Sequence, residues 1–240
     1  GEGKNTYGTG SFVLVNAGTE PPQPQLGLLS TVAWGIGDKI VYAIEAAIFV
    51  TGAGVQWLRD GLGIIEEAAE TEGLAASLSD NQGVYFVPAL TGLGSPYWDP
   101  YARGTIVGLT RGSGRAEIAR ATLEAIAYQS VDAVRAIEAA GGRPITSLKA
   151  DGGATTNGWL MQFQADVLGV PVIVPEISET TALGAAMMAG VGAALFTESD
   201  AATLWRERER YEPQMAVGER DRLLDEWHRA VGRSRDWAGA

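Results

Sequence analysis

Apolar and polar positions alternate in two periods along this chain, and the alternation predicts interleaved strands and helices. Phe12, Val13, Leu14 and Val15 form an apolar run inside a strand over Ser11–Asn16. A Pro/Gln-rich loop over Thr19–Gly27 follows. Then come a strand over Lys39–Ala43 and a helix over Ala46–Asp60 that carries Gly52 and Gly54. The pattern continues with an acidic amphipathic helix over Ile64–Ser77 and a short buried strand over Gly83–Pro88. Leu90–Gly104 is a long loop rich in Gly, Pro and aromatic residues. Rings in such a loop, here Tyr97, Trp98 and Tyr101, pack loops down or line clefts, and packing is the expectation for most of them.

The longest helix is expected over Ala116–Ala140, with Ile118, Leu123 and Ile126 among its apolar positions and Gly141–Gly142 as its stop. A strand over Ser147–Ala150 runs into Asp151-Gly152-Gly153. A helix over Asn157–Leu168 turns Trp159, Leu160 and Phe163 inward and ends at Gly169. A strand over Val170–Val174, a small-residue helix over Thr180–Leu195 and a charged helix over Glu219–Trp237 complete the chain. The order is that of an α/β fold, and 32 glycines imply many tight turns.

Three glycine-bearing segments are candidates for chemistry. In Gly8-Thr9-Gly10 a hydroxyl residue sits between two glycines at the tip of a β-turn. Glycines permit close backbone approach, and successive amides in such a turn can cradle an anion. For the tripeptide alone, an ordinary Gly-rich hairpin is the preferred reading. In Asp151–Asn157 a strand enters, two glycines turn the chain and a helix begins. That is an anion-binding geometry, and it is also an ordinary capped helix, because Thr155, Thr156 and Asn157 are all good N-caps. In Thr51–Trp57, Gly52 and Gly54 each cost roughly 1 kcal/mol in a helix relative to Ala, which something must compensate. Gln56 falls one turn after Gly52 on the same face. Either a ligand or a neighbouring helix could require these glycines.

Composition narrows the function. The chain has 240 residues, 46% of them hydrophobic, enough for a sizeable core. A net charge of −11 disfavours phosphodiester backbones and anionic lipid, so no nucleic-acid or membrane partner is expected. No cysteine is present, which removes thiolate chemistry and suits a cytoplasmic protein. The single histidine, His228, is expected on a helix surface, and one histidine supports neither a His-based metal centre nor a triad. Glu66, Glu67, Glu70 and Glu72 are expected as a solvated face.

The longer strings around these segments resemble the FGGY carbohydrate kinase family, and within it the members that act on glycerol. They are KNTYGTGSF (4–12), YAIEAAIFVTGAGVQWLRD (42–60), GVYFVPALTGLGSPYWDPYARGTIVGLTRG (83–112), ATLEAIAYQ (121–129), DGGATTNGWLMQFQADVLG (151–169) and TALGAAMMAG (181–190). The resemblance implies the actin/sugar-kinase (ribonuclease H-like) fold, with two α/β lobes about a cleft. Residues 1–240 would be the C-terminal, nucleotide-binding lobe, with 198–240 as a C-terminal helical extension. The N-terminal lobe and its expected aspartate general base would lie outside this chain. Carried over residue by residue, the resemblance implies that Thr9 contacts the transferred phosphoryl group and Phe12 packs against the glycerol backbone. Gly52 and Gln56 would lie along the nucleotide, and Gly153 and Asn157 would bind it at the strand–helix turn. It further implies ATP or ADP with Mg²⁺ as cofactor and glycerol as substrate. The partners would be the N-terminal lobe of the same enzyme and a homo-oligomer of the full-length protein. Two alternatives are a family member acting on xylulose, gluconate or another polyol, and an actin-like nucleotide module without transfer chemistry.

Overall fold

The structure is a computed structural model that describes residues 2–23, 25–141 and 144–239. β1 (Glu2–Tyr7) and β2 (Ser11–Gly18) form a hairpin around the Gly8-Thr9-Gly10 turn, with Tyr7 opposite Ser11. A second hairpin, β3 (Leu29–Ile36) and β4 (Lys39–Ile48), joins the far side of β2. The chain then forms α1 (Gly52–Asp60), α2 (Glu70–Ala76), a small ribbon of β5 (Tyr85–Val87) and β6 (Thr105–Val107), and α3 (Arg115–Gly141). β7 (Ser147–Gly152) leads through a 3₁₀ turn (Gly153–Thr156) into α4 (Gly158–Leu168) and back to β8 (Val172–Pro175). The end of the chain comprises α5 (Thr180–Gly192), α6 (Glu198–Ala202), β9 (Glu207–Tyr211) and α7 (Val217–Ser234). The strands make one sheet in the order β3-β4-β2-β1-β7-β8-β9. β1, β7 and β8 run parallel and the other pairs antiparallel.

α3 is the centre of the core. Residues 119–134 are buried without interruption because the sheet, the β5–β6 ribbon and three helices surround them. Polar groups on such a helix need partners. Asn5 Nδ2 donates to Ser130 Oγ at 3.0 Å, and Gln129 Nε2 donates to the Val50 carbonyl at 3.2 Å. Glu124, 1% exposed, pairs with Arg120 at 2.8 Å and accepts from Asn81 and Tyr128. Burial raises the Glu124 carboxyl above the usual carboxylate range, against the pull of Arg120.

Several element boundaries differ from those read in the sequence. The helix expected from Ala46 is strand as far as Ile48. Ser11, Phe12 and Val13 of β2 pair with Ile48, Ala47 and Ala46, and this pairing overrides the helical preference of alanine. α2 covers only Glu70–Ala76 of the acidic segment. β3 and β9, which the pattern did not announce, are the two sheet edges, where side chains stay exposed and alternation is weak. α3 includes Gly141, which was expected to stop it, and Gly142, the second expected stop, lies outside the described residues.

The 198–240 segment is not purely helical, since β9 extends the sheet. α7 is integral to the core, with Trp227 fully buried. His228 of α7 is more than a surface residue. Its Nε2 lies 2.7 Å from Asp132 Oδ1, while Trp227 Nε1 and the Tyr97 hydroxyl each donate to Asp132 Oδ2 at 2.8 Å. Tyr97 thus packs the 90–104 loop down, but Trp98 and Tyr101 remain about two-fifths exposed, against the expectation for most of these rings. No helix among the described residues is long and apolar enough to cross a membrane.

Candidate functional site

The β1–β2 turn docks on the start of α1 through backbone alone. The amides of Thr51 and Ala53 donate to the Thr9 carbonyl at 3.0 Å each, and the Gly52 amide donates to the Gly8 carbonyl at 3.1 Å. Thr51 Oγ1 adds a bond to the Gly8 carbonyl and accepts from Ser11 Oγ, both at 3.1 Å. The first amides of α1 are therefore occupied by the turn, so this helix end is closed to an anion. The glycines follow from the same contact. A Cβ at Gly52 would stand 2.6 Å from the Gly8 carbonyl oxygen, and one at Gly10 would stand 2.3 Å from that of Ile48. Gly54 has the other explanation offered for it, close packing on a helix: its Cβ would touch Thr122 of α3 at 3.4 Å.

From this junction a cleft of about 520 Å³ runs along α1. Gly52, Gln56 and Arg59 line one wall, at helical spacing that spans about 10 Å of axis. The 3₁₀ turn forms the opposite wall, with Gly153, Ala154 and Thr156. Val55, Ala69 and Ala154 give the cleft accessible apolar surface, backed by the buried Leu123, Ile126 and Leu160, and Thr71 and Glu72 of α2 line it as well. Tyr7 also lines the cleft, but its hydroxyl donates to Gln164 at 2.8 Å, and burial pushes its pKa up to about 12.

The two glycines of the 3₁₀ wall have opposite roles. Gly152 adopts φ +90°, and a Cβ on it would stand 2.2 Å from the Tyr7 carbonyl oxygen, so β7 and β1 meet too closely for any side chain. A Cβ on Gly153 would meet no protein atom within 4 Å and would point into open space beside the cleft. Asn157 caps α4, its Oδ1 accepting from the Leu160 amide at 2.9 Å, while its Nδ2 donates to Thr71 Oγ1 at 3.3 Å. Asn157 lines the cleft as well, so its capping role and its place at the site coexist.

Gly52, Gln56, Gly153 and Asn157 are thus gathered in one cleft from two segments far apart in the chain. Thr9 sits just outside it on the exposed turn, whose Gly8 is a lining residue. Phe12 faces away from the core on β2, 48% exposed, on the same face as Ala47 opposite it. Arg59 and Thr71 were not singled out in the sequence, and Glu72, expected on a solvated face, is instead half-buried and accepts from the Trp159 amide at 3.2 Å. Arg59 follows Gly52 and Gln56 on one helix face and could have been singled out; Thr71 and Glu72 arrive only through tertiary packing. Among the described residues no group of three or more His, Asp or Glu side chains could hold a metal ion. The site can therefore hold an elongated ligand whose middle rests on apolar side chains and whose one end meets a backbone turn.

This sheet, crossed by a central helix and opening into a cleft beside two glycine turns, is the architecture of a sugar-kinase lobe. Residues 3–193 match the FGGY family of carbohydrate kinases, C-terminal domain, and the chain belongs to that family. It is 54% identical to the glycerol kinase of Dechloromonas aromatica over all of this chain and 48% of that protein. It is also 54% identical to glycerol kinase 2 of Thermotoga maritima, over 98% of this chain and 47% of that protein. Among solved structures, Plasmodium falciparum glycerol kinase with ADP matches with a TM-score of 0.88 and 34% identity, over 97% of this chain and 47% of that one. The chain thus spans about half the length of the relatives it matches.

Proposed function

We propose that this chain is the nucleotide-binding lobe of an ATP-dependent kinase whose acceptor is glycerol, with residues 1–240 acting as one domain. The observation that carries the reading is the open space at Gly153, facing Gly52 and Gln56 across a cleft of nucleotide length. The similarity to glycerol kinases, one of them solved with ADP, supports it.

In this reading the nucleoside lies along α1, its apolar surface against Val55, Ala69 and Ala154, beside Gly153 and Asn157. Its phosphates point to the Gly8-Thr9-Gly10 turn, where the Thr9 hydroxyl donates to the phosphoryl group in flight. Bound ATP supplies that group, and Mg²⁺ offsets the charge of its phosphates. The ion would be held by the phosphates, by water and by carboxylates of the other half of the enzyme. Phe12, outside the cleft, backs the carbon skeleton of glycerol, and the aspartate that takes its hydroxyl proton belongs to the other half. The contribution of this chain is positioning and charge stabilisation, which supply most of the rate in phosphoryl transfer. The setting is cytoplasmic, and the intact enzyme is a homo-oligomer.

The test is calorimetric titration of MgADP into the purified chain, with glycerol phosphorylation assayed in the same preparation. Saturable binding without turnover is expected. Turnover by this chain alone would overturn the two-lobe reading, and absence of binding would overturn the placement of the nucleotide.

A further inference from the structure

A buried charge lies on the face of the sheet that carries Phe12, outside the cleft. In the parallel pairing of β1 and β7, Lys4 stands beside Lys149 and Thr6 beside Asp151. Asp151 is 2% exposed. Its Oδ2 accepts from the hydroxyl of Thr180, the first residue of α5. Its Oδ1 has no well-directed hydrogen-bond donor; the Lys4 ammonium lies 3.1 Å away, so the attraction there is that of an ion pair. Lys4 in turn donates to Thr6 Oγ1. One residue on, the Gly152 amide donates to the Ser178 carbonyl at 3.0 Å.

Three elements therefore meet at Asp151. Lys4 lies on β1, four residues before Gly8. Asp151 lies on β7, two residues before Gly153. Thr180 and Ser178 lead into α5, an apolar helix in which only Gly190 is buried and whose main packing partner is the short α6.

We infer that Asp151 is a positioning residue. It ties the β1–β2 turn, the Gly153 wall and α5 into one rigid unit, so both walls of the nucleotide site keep their spacing and move with α5. The inference rests on the nucleotide reading above. A buried carboxylate that depends on one half-exposed ammonium is sensitive to loss of either partner. Asp151→Asn keeps the shape and the bond from Thr180 but removes the charge. Lys4→Met leaves the carboxylate unpaired, and Lys4→Arg restores a cation.

The test combines MgADP calorimetry with hydrogen exchange at three bonded amides: Ala53, which donates to the Thr9 carbonyl of the turn, Asn157, which donates to the Ala154 carbonyl, and Leu183, which donates to the Glu179 carbonyl. Asp151→Asn and Lys4→Met are each expected to raise the ADP dissociation constant about tenfold. The double variant should be no weaker than either single one, and Lys4→Arg should fall within about twofold of the unaltered chain. Exchange at the three amides should accelerate together, which a local packing defect would not produce. Unchanged exchange at Ala53 and Asn157 in folded Asp151→Asn would overturn the proposal, as would acceleration confined to the neighbours of residue 151. If Lys4→Met does not fold, Thr180→Val removes a single donor and should accelerate Leu183 with Asn157; no change there would count against the inference. If the unaltered chain binds no MgADP, the nucleotide reading falls and the exchange result alone decides this one.

Discussion

The glycines at 52 and 153 give opposite predictions for the same kind of substitution. In Gly52→Ala the new Cβ stands 2.6 Å from the Gly8 carbonyl oxygen, a backbone atom that cannot swing aside. The turn must retreat, and three backbone bonds from Thr51, Gly52 and Ala53 lengthen or break. At about 1 kcal/mol each, the loss is about 2–3 kcal/mol. In a domain of this size that lowers the melting temperature by about 4–12 °C. In Gly153→Val the new Cβ meets no protein atom within 4 Å, so stability should change by no more than about 0.5 kcal/mol. Its methyl groups enter the space assigned to the nucleotide, and MgADP affinity should fall by about 100-fold or more, as steric exclusion from a rigid wall demands. Differential scanning calorimetry and isothermal titration on the two variants measure both quantities. A Gly153→Val chain that melts normally and binds MgADP as tightly as the unaltered one would refute the reasoning. So would a Gly52→Ala chain of undiminished stability.

Other outcomes follow from the same contacts. Asn157→Ala loses the α4 cap and the bond to Thr71, which should cost about 1 kcal/mol and about 2–4 °C in melting temperature, and should weaken MgADP binding in the same chain. Arg120→Met leaves the Glu124 carboxylate buried without its cation and should cost about 3 kcal/mol, seen as a lower denaturant midpoint; a midpoint unchanged within error would show that the pair is dispensable. The bond to Asp132 raises the His228 pKa above 6.5, so the folded state binds this proton more tightly than the unfolded one. That stabilisation is complete below the unfolded value of about 6.5 and is lost as pH rises through the higher folded value. The melting temperatures of the unaltered chain and His228→Gln should therefore converge as pH rises from 6 to 9, and constant separation would contradict the pairing. Because the chain has one histidine, its imidazole resonance reports the folded pKa directly.

Much of this site is legible in the sequence because its determinants are local. Gly152 and Gly153 announce a turn after a strand, and Gly52 with Gln56 mark a helix face, so their neighbourhoods could be named before their contacts. What each glycine does could not. Gly52 accommodates a carbonyl 44 residues earlier in the chain and Gly54 accommodates α3, whereas Gly153 accommodates nothing in the protein. Only the fold separates these cases. The same holds for β4, where the Ala46–Ile48 stretch reads as helix until β2 pairs with it. Asp132 and Glu124 read as ordinary polar positions on a long helix, because the partners that allow their burial come from α7, the 90–104 loop and Asn81. The edge strands β3 and β9 are hidden for another reason: a strand bonded on one side only keeps exposed side chains and loses the period of two.

The central claim is that one cleft between α1 and the Gly153 turn holds the nucleotide. The most direct measurement is a titration of MgADP followed in amide ¹H–¹⁵N spectra of this chain. The account predicts saturable shifts concentrated at Gly8, Gly52, Gln56, Gly153 and Asn157, with the exposed β3 edge unaffected. Shifts clustered elsewhere, or none at saturating nucleotide, would contradict it.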